Sequence, residues 1–139
     1  MLTWTPALSV GVAEIDAQHQ ELFRRANAFI DAIETPERTA ELLAYLRDHA
    51  RVHFSAEERW MAEEGYPDLE PHRREHAGFL DQLGELDAAR QLPEPIEVAR
   101  WLVRWLHEHV VVADTAAARH ALRHAGGTTS PEGGANGAA

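Results

Sequence analysis

Cysteine is absent from this 139-residue chain. Without a thiol the protein has no disulfide, no thiolate metal ligand and no cysteine nucleophile. Lysine and arginine are also scarce, since 13 of them stand against 23 acidic residues and leave a formal charge of −10. Such a charge repels phosphate backbones and anionic lipid surfaces, so neither nucleic acid nor a membrane is expected as a partner.

Long apolar runs are missing as well, although 45% of the residues are hydrophobic. No stretch approaches the roughly 20 residues that a membrane-spanning helix needs. The first residues, MLTWTPALSVGV, lack a basic stretch followed by an apolar segment of signal-peptide length. We therefore expect a cytoplasmic protein, and the chain length matches one domain with one hydrophobic core.

The two ends of the chain differ from its middle. Residues 1–14 contain Pro6, Gly11 and scattered apolar residues without helical spacing, which predicts an extended N-terminal arm packed on the rest. Residues 126–139 have almost nothing to bury and predict a disordered tail. The folded domain is expected to span residues 1–125.

Four segments between these ends repeat apolar residues at spacings of three and four, the pattern of amphipathic helices. The predicted helices span residues 16–34, 36–63, 69–88 and 95–123, with Asp16 and Thr35 as N-caps. The inward stripe of the third helix is predicted to include Phe79, Leu80 and Leu83. Short connections between four helices predict an all-α, up-down-up-down four-helix bundle.

Histidine is the unusual component, with nine residues in the chain. Several histidines, and one glutamate, occupy stripe positions where a helix core requires apolar residues. Burying an unpaired polar group costs about 1–3 kcal/mol, so several in one core need a shared partner. Imidazole and carboxylate are metal ligands, and a metal site accounts for all of these residues together. They are His19, His53, Glu57, His72, His76 and His109.

Spacing supports this interpretation. His53 and Glu57, and likewise His72 and His76, are i,i+4 pairs whose side chains share one helix face. Asp114 follows His109 by five residues, which in a regular helix is a rotation of about 140°. A π-bulge within residues 105–118 would bring both to one face, and we expect one there.

Structural explanations compete with ligation at single positions. A lone buried histidine such as His19 is commonly a hydrogen-bonded core residue, and Glu57-Glu58 is also the pattern of a solvated face. Glu57 is preferred to Glu58 because it lies one turn after His53. His49, one turn before His53, is expected to pack beside the site. No role is predicted for His107, His120 and His124.

Three segments together resemble the hemerythrin family, particularly its bacterial members: VGVAEIDAQHQELF, HFSAEERWMAEEGYPDLEPHRREHAGFL and WLHEHVVVAD. The resemblance covers residues 1 to about 122 and includes a single His, then His-x-x-x-Glu, His-x-x-x-His and His-x-x-x-x-Asp, in order. It implies two iron ions with an oxo or hydroxo bridge. His72, His76 and His109 would bind one iron, and His19 and His53 the other. Glu57 and Asp114 would bridge both.

This ligand set leaves room for a small molecule. Two octahedral ions offer twelve positions, of which five imidazoles, two bridging carboxylates and one bridging oxygen fill eleven. The resemblance places the open position on the iron with two histidines, where dioxygen binds reversibly and takes one electron from each ferrous ion. It also places Leu106 and Val111 beside the open position. The sequence departs from the family at His49, where relatives often carry an aromatic residue, and in the alanine-rich stretch after Asp114.

Other functions remain open at this point. Imidazole and carboxylate bind zinc or copper at least as tightly as iron, so iron rests on the resemblance. The rivals are a di-iron enzyme that reduces peroxide or nitric oxide or oxidises a substrate, an oxygen or redox sensor, and a structural zinc site. Structural zinc sites are typically closed and mononuclear. We expect a monomeric, non-enzymatic carrier of dioxygen, with an oxygen-consuming enzyme as its candidate partner.

Overall fold

A computed structural model of the chain describes residues 2–31, 36–88 and 93–128. Three helices are continuous: α1 (Ala13–Asp31), α2 (Pro36–Glu63) and α3 (Leu69–Ala88). The fourth, α4, has three successive segments, Pro95–Leu106, a π-helical stretch His107–Asp114, and Thr115–Thr128. Helix α2 packs on α1 and on α3, and α4 closes the bundle against α1 and α2. The predicted all-α four-helix bundle is confirmed, and the described part of the chain contains no strand.

The bounds of α2 and α3 match the predicted ones, but α1 begins at Ala13, three residues before the predicted cap. Asp16 lies inside the first turn of α1. Its two carboxylate oxygens accept hydrogen bonds from the Ser9 hydroxyl at 2.5 Å and from the Val10 backbone N–H at 2.9 Å. Asp16 therefore fastens the N-terminal arm to α1. The predicted end of α1 at residue 34 and the Thr35 cap lie outside the described residues.

The N-terminal arm packs along the bundle, with a short 3-10 turn at Pro6–Leu8. Its first described residue is held by a side-chain amide of α1: the Leu2 N–H donates to Asn27 Oδ1 at 2.9 Å, and Asn27 Nδ2 donates to the Leu2 carbonyl at 2.7 Å. Leu2, Trp4 and Leu8 pack against the core. The arm is thus secured at both of its ends.

The turn between α2 and α3 sets the relative position of two ligand-bearing helices. Gly65 has a positive φ of 65°, its N–H bonds to the Ala62 carbonyl at 3.1 Å, and the Tyr66 N–H bonds to the Met61 carbonyl at 2.9 Å. This pair of bonds is the Schellman motif, which ends a helix with a left-handed residue that glycine adopts without steric cost. Any side chain at residue 65 would strain this turn.

The core consists of the inward stripes of all four helices. One predicted core residue is wrong: Leu80 is 44% exposed, because it is rotated about 100° from its buried neighbour Phe79. The fully buried aliphatic side chains surround the polar centre of the bundle and hold its helices in place. The largest of them are Ile15, Leu22, Leu43, Leu46, Leu83, Leu102 and Leu106.

The last segment of α4 continues to Thr128, five residues beyond its predicted end and three into the segment expected to be disordered. The alanine-rich composition of residues 116–121 favours this continuation, since alanine has the highest intrinsic helix propensity. Residues 129–139 lie outside the described part of the chain. Among the described helices, none combines the length and the apolar character that crossing a membrane requires.

Candidate metal centre

The π-helical stretch of α4 brings two predicted ligands to one side. In a π-helix the backbone hydrogen bonds join residues i and i+5, which is the spacing of His109 and Asp114. Both side chains are buried, and His109 Nε2 lies 3.4 Å from Asp114 Oδ1. The Thr115 hydroxyl donates to the carbonyls of Val111 at 2.5 Å and Val112 at 3.1 Å, where the helix returns to α-geometry. The π-bulge predicted from this spacing is confirmed.

The structure brings all seven predicted ligand side chains together in the middle of the bundle. Each is at most 3% exposed. Their ligand atoms form two groups that share Glu57, and within each group these atoms lie within 4.8 Å of one another. The first group is Glu57, His72, His76 and His109, and the second is His19, His53, Glu57 and Asp114.

Glu57 connects the two groups through its two oxygens. Oε2 lies 3.0 Å from His19 Nε2 and 3.1 Å from His53 Nε2. Oε1 lies between 3.1 and 3.3 Å from the Nε2 atoms of His72, His76 and His109. A carboxylate placed in this way is suited to bridge two metal ions.

Asp114 shows most directly that the donor set lacks a partner. Its Oδ1 lies 3.1 Å from His72 Nε2, and its Oδ2 lies 3.1 Å from His19 Nε2. Both oxygens are buried, yet neither forms a hydrogen bond with a described residue. A buried carboxylate without hydrogen bonds is costly, and bound cations would remove that cost.

Distances between ring nitrogens also indicate a metal site. The Nε2 atoms of His19 and His53 are 3.0 Å apart, and those of His76 and His109 are 3.1 Å apart. Imidazole binds divalent metals at about 2.1 Å, so two nitrogens at right angles around one ion are about 3.0 Å apart. Each of the two nitrogen pairs therefore fits a metal ion that holds its two imidazoles at right angles.

In the metal-free protein, the buried carboxylates favour the protonated form of three ligand imidazoles. Burial opposes charge on the His19 imidazole, but the adjacent carboxylates of Asp114 and Glu57 outweigh it and raise its pKa to about 9. The pKa of His72 is raised to about 9 against the same opposing burial, and that of His109 to about 10. Burial also opposes ionisation of Glu57, yet His53 and the other facing imidazoles hold its pKa well below the ordinary range.

We predict that metal binding releases protons and strengthens as pH rises. At neutral pH the ion must displace protons from His19, His72 and His109, whose pKa values are about 9, 9 and 10. Affinity should therefore increase with pH until it levels off near pH 9–10. Metal titration in weakly buffered solution with a pH electrode measures the release. Affinity and proton release that do not change with pH would contradict these protonation states.

The stability of the metal-free protein should fall as pH rises, whereas metal affinity should increase. A histidine whose pKa is raised on folding contributes stability that is fully present below its unfolded pKa of about 6.5. That contribution is lost as pH rises through the folded values of about 9 to 10. Urea unfolding of metal-free protein at pH 6.5 and pH 10 should show the lower stability at pH 10. Equal stability at the two values would contradict the prediction.

Three residues that sequence reasoning missed bind the outward ring nitrogens of the ligand histidines. His53 Nδ1 lies 2.6 Å from Gln18 Oε1. His76 Nδ1 lies 2.7 Å from Glu58 Oε2, and His109 Nδ1 lies 3.2 Å from Glu75 Oε1. Each acceptor fixes the tautomer in which Nδ1 carries the proton and Nε2 is free to bind metal. The sequence contained one signal for these acceptors: each directly precedes or follows a predicted ligand.

His49 packs beside the centre and belongs to neither ligand group. Its ring stacks on His53 with centroids 4.8 Å apart, and its Nδ1 lies 3.4 Å from the Tyr45 hydroxyl. Burial, followed by the positive charges of His53 and His19, lowers its pKa to about 3. His107 is exposed, His120 contacts the Tyr66 ring, and the side chain of His124 lies outside the described part.

Leu106 and Val111, which were predicted to border the oxygen site, both line a cavity of about 410 Å³ between the arm, α1 and α4. Leu106 is fully buried. Phe23 also lines this cavity and lies one turn after His19, as Leu106 lies one turn before His109. Leu2 of the arm and Val103 of α4 complete the apolar part of its wall, which Thr3, Arg104, His107 and Glu108 also line. The cavity is thus one helical turn from ligands of both groups.

Comparison with known proteins agrees with this geometry. Residues 10–119 match the family model described as the hemerythrin HHE cation binding domain. A bacteriohemerythrin of Stenotrophomonas maltophilia is 32% identical, over 89% of this chain and 84% of the relative. Bacteriohemerythrins of Ralstonia nicotianae and Clostridium acetobutylicum are 33% and 25% identical, each over 82% of this chain and over 84% and 96% of the relative. The chain belongs to the hemerythrin family.

Proposed function

We propose that this protein binds dioxygen reversibly at a non-haem di-iron centre and acts as a carrier. The observation that carries the proposal is Glu57, whose two oxygens each face a separate group of imidazoles. His72, His76 and His109 would hold one iron, and His19 and His53 the other. Glu57 and Asp114 would bridge them, with an oxo or hydroxo bridge. When bound, the two ferrous ions supply the two electrons that dioxygen takes up.

The chain's own residues account for selective access. With three imidazoles in one group and two in the other, the open coordination position would lie on the side of His19 and His53. The apolar side chains of Phe23 and Leu106 line the 410 Å³ cavity one helical turn from His19 on α1 and His109 on α4. They admit a small apolar molecule more readily than water or an anion, because an ion leaving water for apolar surroundings loses its hydration.

The surroundings of the centre favour reversible binding of dioxygen over catalytic reduction of peroxide or nitric oxide. Reduction of peroxide or nitric oxide requires a proton donor near the open position. His49 is the nearest candidate identified by sequence, but with a pKa of about 3 it is neutral at physiological pH and a weak acid. We therefore propose a carrier and not an enzyme. The same proposal includes a monomer in the cytoplasm that supplies an oxygen-consuming enzyme.

The test is anaerobic reconstitution with ferrous iron, followed by metal analysis and optical spectra. We expect two irons per chain, and a charge-transfer band that appears when oxygen is admitted and disappears when it is removed, over repeated cycles. One tightly bound ion per chain would contradict the di-iron centre. A single irreversible oxidation, or multiple turnovers with peroxide or nitric oxide, would contradict the carrier and favour an enzyme or a redox sensor.

A further inference from the structure

The two ligand groups differ in what their outward ring nitrogens contact. In the group with three histidines, two of the three outward nitrogens contact carboxylates. His76 Nδ1 donates to Glu58 at 2.7 Å, and His109 Nδ1 donates to Glu75 at 3.2 Å. Both carboxylates are near solvent, with 27% and 48% of their side chains exposed. Arg73 binds the other oxygen of Glu58 at 3.4 Å and holds it toward His76.

In the group with two histidines, no outward carboxylate is found among the described residues. His53 Nδ1 donates to the neutral amide oxygen of Gln18 at 2.6 Å. His19 Nδ1 is buried and has no hydrogen-bond partner in the described part of the chain. The asymmetry therefore consists of two carboxylates, one of them paired with Arg73, on one side and a neutral amide on the other.

This asymmetry has an electronic consequence for bound metal. An imidazole N–H that donates to a carboxylate shifts its proton toward that acceptor, which makes the opposite nitrogen a stronger donor of electron density. A neutral amide accepts a weaker hydrogen bond and produces a smaller effect. A more strongly donating ligand set, with more negative charge close by, stabilises the ferric over the ferrous state.

We propose that Glu58 and Glu75 are positioning residues that make the metal held by His72, His76 and His109 the more easily oxidised of the two. Gln18 leaves the metal of His19 and His53 with the poorer donors. In the state with one ferrous and one ferric ion, the ferric ion is then on the three-histidine side. This inference rests on the proposed di-iron centre, and it adds which ion loses its electron first and why.

A purely structural role makes a different prediction. If these acceptors only select the tautomer, glutamine serves as well as glutamate, because either side chain accepts a hydrogen bond from Nδ1–H. Near-isosteric exchange therefore separates the two roles. The variants are Glu58→Gln, Glu75→Gln and the reverse exchange Gln18→Glu. Glu97→Gln is the matched control, since Glu97 is 63% exposed and its contact is with Arg100 at 3.2 Å.

The experiment is an anaerobic redox titration of the iron-loaded proteins, with Mössbauer and electron paramagnetic resonance spectra of the mixed-valence state. Oxygen is not used. We expect Glu58→Gln and Glu75→Gln to raise the midpoint potential of the first oxidation. Gln18→Glu should lower it and move part of the ferric population to the two-histidine side. Glu97→Gln should match the wild type. If Gln18→Glu does not retain two irons, the midpoint potentials of Glu58→Gln and Glu75→Gln test the inference by themselves.

The outcomes separate this inference from the proposed function. Unshifted potentials in Glu58→Gln and Glu75→Gln, with two irons retained, overturn the inference and leave the carrier intact. Shifted potentials in a protein whose oxygen reaction is irreversible support the inference and overturn the carrier. A wild-type protein that does not hold two irons overturns both, and one that holds two irons but forms no mixed-valence state overturns the inference alone.

Discussion

Replacing Glu57 with alanine is expected to abolish tight binding of both metal ions. Glu57 is fully buried, and its oxygens lie 3.0–3.3 Å from all five inward-facing Nε2 atoms. Loss of a residue that only orients a ligand costs about 10–100-fold in metal affinity. Loss of a carboxylate shared by both ions should exceed the upper end of that range. Competition titration with a chelator, together with metal analysis, measures the effect.

Two neighbouring glutamates on α2 provide graded controls for this prediction. Glu58→Ala removes the acceptor of the His76 ring and should weaken binding by about 10–100-fold, but less than Glu57→Ala. Glu63→Ala changes an exposed residue near the end of α2 and should leave affinity unchanged. Equal losses for Glu57→Ala and Glu58→Ala would show that Glu57 does not bridge the two ions.

Replacing Leu106 with alanine is the second large effect that we expect, and it acts on access to the metals more than on their binding. Leu106 is fully buried, it lines the 410 Å³ cavity, and it lies one turn before His109. Truncating such a side chain typically costs about 2–4 kcal/mol of stability. It also enlarges the cavity toward the centre, so solvent and anions should enter. Autoxidation of the oxygenated protein should accelerate, and azide should reach the diferric centre faster.

Leu102→Ala is the matched control, because Leu102 is equally buried one turn earlier on α4 and does not line the cavity. It should lower stability by a similar amount without changing autoxidation. Stopped-flow measurements of azide entry and of autoxidation compare the two variants. If Leu106→Ala retains two irons and both rates stay at the wild-type values, Leu106 does not control access.

Much of the architecture follows from local periodicity. The inward stripes of α2 and α3 predict their bounds as the structure has them, because an amphipathic pattern of four or more turns leaves one face to bury. The convergence of the candidate ligands follows from the same pattern. Polar residues on stripe positions of four helices must meet in one core. Even the π-helical stretch was predictable, since His109 and Asp114 share a face only if the helix is locally wider.

Contacts between elements distant in sequence were decided by the tertiary structure alone. Asp16 does not cap α1, which begins three residues earlier, and binds Ser9 and Val10 of the arm instead. The cavity beside the centre exists because the arm, held through Asn27, passes over α1 and α4. Periodicity describes one helix at a time and contains no information about which loop covers which face.

The residues that accept hydrogen bonds from the outward ring nitrogens show most clearly that periodicity does not predict contacts between helices. Gln18, Glu58 and Glu75 look like ordinary surface residues in the sequence, and each binds a histidine on a different helix. The helical pattern placed the six stripe ligands on the inward faces of their helices, because that placement depends on rotation within one helix. Which neighbour reaches over each imidazole, and whether it carries a charge, depends on the separation and rotation of helix pairs, which only the assembled bundle determines.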